Sequence, residues 1–173
     1  VTPAFARAKI GCSSELADRI AKLYTPMMKF SKQDYGVLVE AFGVSAHGST
    51  PWQGENAIGR LMLALDAMPF EGEAKTWIHF LATKLGMECN GKSAGIYLYD
   101  EVSGELTVNW GTLHADDKSL SMVINYRYPV TKEYTDCAPA FDALFAAAGF
   151  EKAKEAAKEA KRLEKQKRKE EKK

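Results

Sequence analysis

The sequence has 173 residues, of which 46% are hydrophobic, and its 24 Lys and Arg against 23 Asp and Glu give a formal net charge of +1. This composition is typical of a globular domain with a sizeable core, and no apolar run approaches the roughly 18 to 20 residues of a membrane span. The three cysteines, Cys12, Cys89 and Cys137, form no CxxC or Cys/His cluster, which argues against a zinc knuckle. An odd number of cysteines without a signal-peptide pattern favours reduced thiols and the cytoplasm.

The first half of the chain predicts a strand, a helix and a second strand. Residues 4–10 alternate well enough for a strand, and either Ser13 or Ser14 is suited to cap a helix. Four apolar residues at helical spacing define the buried face of that helix: Leu16, Ile20, Leu23 and Tyr24. Thr25-Pro26 ends the helix, and residues 35–44, rich in β-branched and aromatic side chains, predict the second strand.

Two helices and an antiparallel region follow. The first helix is predicted to begin near residues 54–56 and to stop before Pro69, and the second to cover about residues 73–85 and end at Gly86. Three strands and a last helix complete the prediction, at residues 95–100, 105–115, 119–128 and 138–148. The order β-α-β-α-α-β-β-β-α predicts an α+β fold, an antiparallel sheet with helices packed on one face.

Residues 151–173 differ from the rest in composition. They contain 11 Lys and Arg against 6 Glu, or +5, whereas residues 1–150 carry 13 Lys and Arg against 17 Asp and Glu, or −4. Strong helix formers predict a charged helical tail, and its interspersed Glu and lack of aromatic residues argue against nucleic acid or a membrane as its partner. Gly149-Phe150 is more typical of a helix end than of a helix interior. We therefore divide the chain at residue 150 and expect the tail to be engineered.

The segment with the most functional information is GVSAHGSTPWQGENA, residues 43–57. It places His47 between a predicted strand and a predicted helix, where Gly48 lets the backbone turn and Pro51 fixes the next turn. The segment resembles the SAHGS-x-P-x-x-G-x-NA motif of the zinc-dependent aminoacylase, carboxypeptidase and dipeptidase family of metallopeptidases. In that family the motif lies in the lid, or dimerisation, domain. The resemblance extends over about residues 1–150 and implies a ferredoxin-like lid.

The resemblance implies roles for two residues that, taken alone, are more often surface side chains. The histidine matching His47 reaches into the family's active site and donates to the scissile carbonyl oxygen, which stabilises the tetrahedral intermediate. His47 is therefore the catalytic candidate. Arg127 lies in a segment resembling the lid strand whose arginine binds the substrate carboxylate, a group that a guanidinium matches bidentately. Asn125, where many relatives have Asp, makes Arg127-Tyr128-Pro129 more similar to the bacterial dipeptidases than to the aminoacylases.

The two-zinc site of the family is not predicted in this chain. The resemblance implies that a separate catalytic domain holds zinc through several His, Asp and Glu ligands. The only H-x-D here, His114-Ala115-Asp116, falls at a predicted hairpin turn and follows the lid motif, whereas the zinc H-x-D of the family precedes it. The only E-E pair, Glu170-Glu171, lies in the tail. We expect His79 and His114 to be structural or exposed, and no metal site in the chain.

Three hypotheses for function follow and stay open at this point. In the first, the chain is the excised lid of a cytoplasmic zinc dipeptidase, consistent with the internal-looking start Val1-Thr2-Pro3. The parent then cleaves dipeptides or short N-acyl amino acids, and the fragment is inactive without its missing catalytic domain. In the second, the chain is a non-catalytic scaffold whose tail or sheet edge mediates assembly, for example as a homodimer. In the third, it is a stand-alone module that binds a peptide or an amino acid through His47 and Arg127.

Overall fold

A computed structural model describes residues 1–153 of the chain. Its helices and strands are, in order, β1 (Phe5–Gly11), α1 (Ser14–Ala21), β2 (Met28–Gln33), β3 (Gly36–Phe42), α2 (Ala57–Ala67), α3 (Glu73–Lys84), β4 (Tyr99–Asp100), β5 (Gly104–Glu105), β6 (Thr107–Ala115), β7 (Leu120–Arg127) and α4 (Ala138–Ala147). Single 3-10 turns lie at Pro51–Gln53 and Tyr134–Asp136. None of the described helices has the length and apolar character needed to cross a membrane.

The N-terminal half is built on a three-stranded antiparallel sheet in the order β1-β3-β2. Side chains alternate between the two faces of the central strand β3, so that Val37, Val39 and Ala41 are fully buried. α1 and α2 pack against this sheet and share one hydrophobic core with those three residues. The opposite face is polar where Arg7 of β1 lies beside Glu40 of β3. Both helices therefore lie on one face of the sheet.

The C-terminal half is dominated by the antiparallel hairpin of β6 and β7. Its register shifts between Trp110 and Thr112, which marks a bulge, and the Trp110 side chain is only 2% exposed. Asp116 closes the turn of the hairpin, because its carboxylate accepts hydrogen bonds from the amides of Lys118 and Ser119. The hairpin thus has the large core side chain of Trp110 near its bulge, and at its tip a turn that is stabilised by Asp116 of the turn itself.

The predicted α+β class and the antiparallel pairing are confirmed, with one difference in how the strands are grouped. They form three separate sheets, β1-β3-β2, β4-β5 and β6-β7, instead of one continuous sheet. The predicted strand at residues 95–100 is reduced to the two residues of β4, and Leu106 interrupts the predicted strand at residues 105–115. Leu106 is fully buried, and its amide donates to the carbonyl of Leu98, in register with the β4-β5 pair.

Two predictions in the first half were wrong. Strand β2 was not predicted, because only Met28 and Phe30 supply apolar alternation in a stretch that also contains two lysines. The helix α1 ends at Ala21, so Leu23 and Tyr24 do not belong to its buried face and are 51% and 90% exposed. The chain must leave the helix there to enter β2, which it reaches through the left-handed residue Met27 at φ 62°. The N-cap prediction is confirmed at Ser13, whose side chain accepts from the Leu16 amide.

Helix α4 ends at Ala147, close to Gly149, which the sequence indicated as a helix end. Gly149 adopts φ +88°, and the amide of Phe150 turns back to the carbonyl of Phe145. Phe150 then packs its ring against Phe80 and Phe145, with ring centroids 5.7 and 5.5 Å apart. The turn at Gly149 therefore folds Phe150 back onto the core. The helical tail predicted for residues 151–173 lies almost wholly outside the described residues.

Gly36 and Gly95 offer a matched test of the packing around β3. Both have positive φ, but a Cβ at Gly36 would overlap the Ile10 carbonyl and lie 2.6 Å from the Cys12 amide nitrogen, whereas a Cβ at Gly95 meets nothing within 4 Å. We expect Gly36→Ala to lower the free energy of unfolding by more than about 2 kcal/mol and Gly95→Ala by about 1 kcal/mol, the cost of backbone strain alone. Urea denaturation of both variants measures this, and equal losses would contradict it.

Candidate functional site

The motif segment forms a closed loop between β3 and α2. Its two ends are joined by a pair of backbone hydrogen bonds, in which the amides of Val44 and Glu55 each donate to the other's carbonyl over 2.9 Å. Glycines flank this pair because side chains would not fit. A Cβ at Gly43 would lie 2.9 Å from the Ala57 amide nitrogen, and a Cβ at Gly54 would lie 2.5 Å from the Val44 carbonyl oxygen. The two motif glycines therefore allow the loop to close.

Inside the loop the backbone is held by further hydrogen bonds. The Thr50 amide donates to the His47 carbonyl over 3.0 Å, and the single 3-10 turn Pro51–Gln53 follows. Pro51 is buried, whereas the indole of Trp52 is turned outward and is 60% exposed. From outside the loop, the Thr2 amide donates to the Ala46 carbonyl over 2.9 Å. The N-terminal segment thus supports the loop beside His47.

Asn56 ties the loop to the hairpin. Its side-chain oxygen caps α2 by accepting from the amides of Ile58 and Gly59, at 3.0 and 3.3 Å. Its side-chain nitrogen donates to the Trp110 carbonyl of β6 over 2.9 Å. Beside it, the buried Asn109 accepts from the hydroxyl of Thr2 over 3.0 Å. This cluster of Thr2, Asn56 and Asn109 was not predicted from the sequence, because its members lie more than 50 residues apart along the chain.

His47 is exposed on the loop and contacts Ser49. Its ring nitrogen Nδ1 lies 2.6 Å from the Ser49 hydroxyl oxygen and 3.3 Å from the Ser49 amide nitrogen, which donates to it. The ring is therefore oriented by a residue two positions further along the same loop. Ser49 is only a weak sequence signal for this contact, because a serine is able to bond the backbone locally.

Arg127 is the last residue of β7, opposite Thr107 of β6, and its side chain is exposed. It lines a cavity of about 470 Å³. Ser49 and Trp52 of the motif loop line the same cavity. The tertiary structure therefore brings Arg127 and the loop of His47 to one cavity, although 80 residues separate the two along the chain. His47 is connected to this cavity through its contact with Ser49.

Asp100 accepts hydrogen bonds from two segments, the turn between β4 and β5 and the segment that follows Arg127. One carboxylate oxygen accepts from the amide and hydroxyl of Ser103 at 2.5 and 2.9 Å, and the other from the amide and hydroxyl of Thr131 at 2.9 and 2.8 Å. The Ser103 hydroxyl in turn accepts from the Val130 amide over 2.9 Å. Since Ser103 and Val130 both line the cavity, Asp100 fixes one of its walls.

Burial by itself would raise the pKa of Asp100, but the hydrogen bonds from Ser103 and Thr131 outweigh it and hold the pKa of this carboxyl well below its usual range. These four donors stabilise the ionised form, so their contribution to folding depends on Asp100 being charged. Asp100 was not predicted to belong to the site, because both groups of donors come from loops whose approach depends on the tertiary fold.

The other two histidines lie apart from this cavity. His79 is exposed on α3 with its Nδ1 3.0 Å from the Asp66 carboxylate, and His114 is exposed on β6 opposite Ser121. Within residues 1–153, no group of three or more His, Cys, Asp and Glu side chains is arranged to hold a metal ion. Asp116 of the H-x-D match bonds the amides of its own turn. No such group among the described residues therefore fits a zinc ion, which the resemblance assigns to a separate catalytic domain.

Comparison with known families identifies the domain. A family model described as a peptidase dimerisation domain matches residues 35–130, a stretch that includes both His47 and Arg127. The chain belongs to this family of peptidase dimerisation domains, as its motif indicated. The match begins at the turn before β3 and ends just beyond β7, so it contains the loop, the hairpin and the cavity between them.

Three bacterial relatives of the chain carry the word dipeptidase in their names. The Beta-Ala-Xaa dipeptidase of Lactobacillus delbrueckii subsp. lactis is 34% identical over 103 residues, 58% of this chain and 22% of that protein. YtjP of Bacillus subtilis (strain 168) is 34% identical over 98 residues, 56% of this chain and 21% of that protein. SAR1836 of Staphylococcus aureus (strain MRSA252) is 29% identical over 123 residues, 70% and 26% of the two chains. The matched region thus spans at most about a quarter of each relative.

The acid sensitivity of folding tests the role of Asp100. Because the pKa of Asp100 is lower in the folded chain, its contribution is complete above its unfolded pKa of about 4 and is lost as the pH falls below that value. We expect Asp100→Asn to be less stable than the wild type at neutral pH, and the difference to shrink as the solution is acidified below about pH 4.

Urea denaturation over a pH series measures both curves. Asp117→Asn, the same substitution at an exposed position of the hairpin turn, controls for the change in net charge. A difference between wild type and Asp100→Asn that does not change with pH would contradict the assignment of these hydrogen bonds to an ionised carboxylate.

Proposed function

We propose that this domain is the lid of a dipeptidase and closes over substrate held at a zinc site of a separate domain. His47 donates a hydrogen bond to the scissile carbonyl oxygen, and Arg127 binds the substrate carboxylate. The observation that carries the proposal is that Arg127 lines one cavity with Ser49, the residue that contacts the His47 ring. The substrates are dipeptides or short N-acyl amino acids, and the cytoplasm is the proposed location.

The properties of the cavity support a carboxylate-bearing substrate of this size. A volume of about 470 Å³ lies within the range of small-molecule sites. The exposed guanidinium of Arg127 offers donors in a fixed fork, which suits two parallel hydrogen bonds to a carboxylate. Trp52 gives the same cavity an apolar wall. Arg127 would fix the charged end of the substrate while Trp52 contacts its apolar part.

The contribution of His47 follows from where charge develops in the reaction. Attack on an amide carbonyl places negative charge on its oxygen, and a donor aimed at that atom stabilises the transition state more than the ground state. The zinc ions implied by the resemblance would supply activation of the attacking water when bound in the separate domain. The lid residues would orient the substrate and stabilise the oxyanion, so the domain alone is proposed to be inactive.

Two substitutions separate these roles in the full-length dipeptidase that carries the domain. Arg127→Ala should raise KM about ten- to a hundredfold, because it removes a charge-assisted bidentate contact, and Arg127→Lys should have a smaller effect because one point charge remains. His47→Ala should instead lower kcat about a hundred- to a thousandfold, as expected for loss of an oxyanion donor. Steady-state kinetics with a dipeptide series measures both parameters.

Arg7→Ala provides the matched control, since it makes the same substitution on the outward face of the β1-β3-β2 sheet, away from the cavity. It should leave kcat and KM unchanged. If His47→Ala or Arg127→Ala behaves like Arg7→Ala, the proposed role of that residue is wrong. Turnover by the isolated 173-residue chain with added zinc or manganese would contradict the division of labour between lid and catalytic domain.

The second candidate is a non-catalytic assembly module, which the description of the matched family as a dimerisation domain favours. Strands β1 and β2 are the two edges of the three-stranded sheet, and an edge strand offers backbone groups for pairing with another copy. On this hypothesis, light scattering should give a mass that rises from 19.1 kDa toward twice that value as the protein concentration increases. A mass of one chain at every concentration would reject self-association of this chain.

A further inference from the structure

The contact between His47 and Ser49 determines more than the orientation of the ring. A neutral imidazole carries one proton, on Nδ1 or on Nε2, and the two forms offer their hydrogen-bond donor in different places. The Ser49 hydroxyl, 2.6 Å from Nδ1, can donate or accept and therefore fits either form. The Ser49 amide, 3.3 Å from the same nitrogen, can only donate. Nδ1 must therefore present its lone pair, which places the proton on Nε2.

We propose that Ser49 is a positioning residue that holds the neutral His47 ring with Nδ1 as acceptor and Nε2–H as the outward donor. The backbone amide selects the tautomer, and the hydroxyl then donates to the same nitrogen and keeps the ring in place. The chain reaches this geometry without help from the His47 side chain, because the Thr50 amide bonds the His47 carbonyl and the Val44–Glu55 pair closes the loop. The donor is therefore set before any substrate arrives.

The consequence for chemistry rests on the proposed function. A neutral imidazole stabilises an oxyanion through its N–H donor, so a ring with Nε2–H directed outward is competent, whereas the other tautomer would present a lone pair to the developing negative charge. A wrong tautomer of a catalytic histidine is costly even where the geometry is preserved. Ser49 lines the Arg127 cavity, so the residue that selects the tautomer also lies at the proposed substrate site.

The tautomer can be measured in the 173-residue chain itself by long-range ¹H–¹⁵N correlation of the imidazole rings, at a pH where they are neutral. The three histidines give three ring patterns, and the one that disappears in His47→Gln belongs to His47. We expect the His47 pattern to show an unprotonated Nδ1 and a protonated Nε2. A protonated Nδ1 in the wild type would overturn the proposal.

Variants at Ser49 isolate the hydroxyl. Ser49→Ala should move the ¹⁵N shift of His47 Nδ1 toward that of a free imidazole and increase ring mobility in ¹⁵N relaxation, and Ser49→Thr, which keeps a hydroxyl, should restore the wild-type pattern. Ser45→Ala makes the same change elsewhere on the loop and should leave the His47 signals in place. Unchanged His47 signals in Ser49→Ala would also overturn the proposal.

These outcomes are separable from those of the proposed function, because the NMR measurement needs no turnover. If the tautomer is as expected but His47→Ala leaves kcat of the full-length enzyme unchanged, the positioning role stands and the catalytic role fails. If His47→Ala lowers kcat but the wild-type ring carries its proton on Nδ1, the catalytic role stands and the role of Ser49 fails.

Discussion

The pair of backbone hydrogen bonds between Val44 and Glu55 is the constraint on which the candidate site depends. It closes the motif loop at the point where β3 ends and α2 is about to begin. The close approach of these two backbones leaves no room for a Cβ at Gly43 or Gly54. Because main-chain groups close the loop, its side chains are not needed for closure and can contact a ligand. His47 and Trp52 are accordingly exposed on it.

Two further sets of polar contacts hold the segments around the cavity that Arg127 and this loop share. Asn56 links the start of α2 to β6 through the Trp110 carbonyl, which fixes the hairpin relative to the loop. Asp100 fixes the segment beyond β7 through Thr131 and, by way of Ser103, through Val130. The cavity between them therefore has walls that are held independently. Preorganisation of this kind reduces the cost of orienting groups when a ligand binds.

Sequence patterns predicted the regular elements best where they were long and strongly patterned. The starts of α2, α3 and α4, the tip of the β6-β7 hairpin and the helix end at Gly149 were all predicted to within about three residues. The failures came where local pattern and tertiary packing disagree. Strand β2 is a lysine-containing edge strand that is held by its pairing with β3. Leu23 and Tyr24 have helical spacing with Leu16 and Ile20, but the helix ends before them because the chain turns there toward β2.

By itself, the sequence determined the α+β class, the family, and His47 and Arg127 as candidates, because these depend on local periodicity and on a contiguous motif. Only the tertiary structure decided that Arg127 and the motif loop line one cavity, since the hairpin register and the bond from Asn56 to Trp110 bring together residues far apart in the chain. It also decided which nitrogen of His47 faces Ser49 and how Asp100 is held in its ionised form. The physical reason is the same in each case: hydrogen bonds between distant segments act over a few ångströms, and a linear sequence does not encode those distances locally.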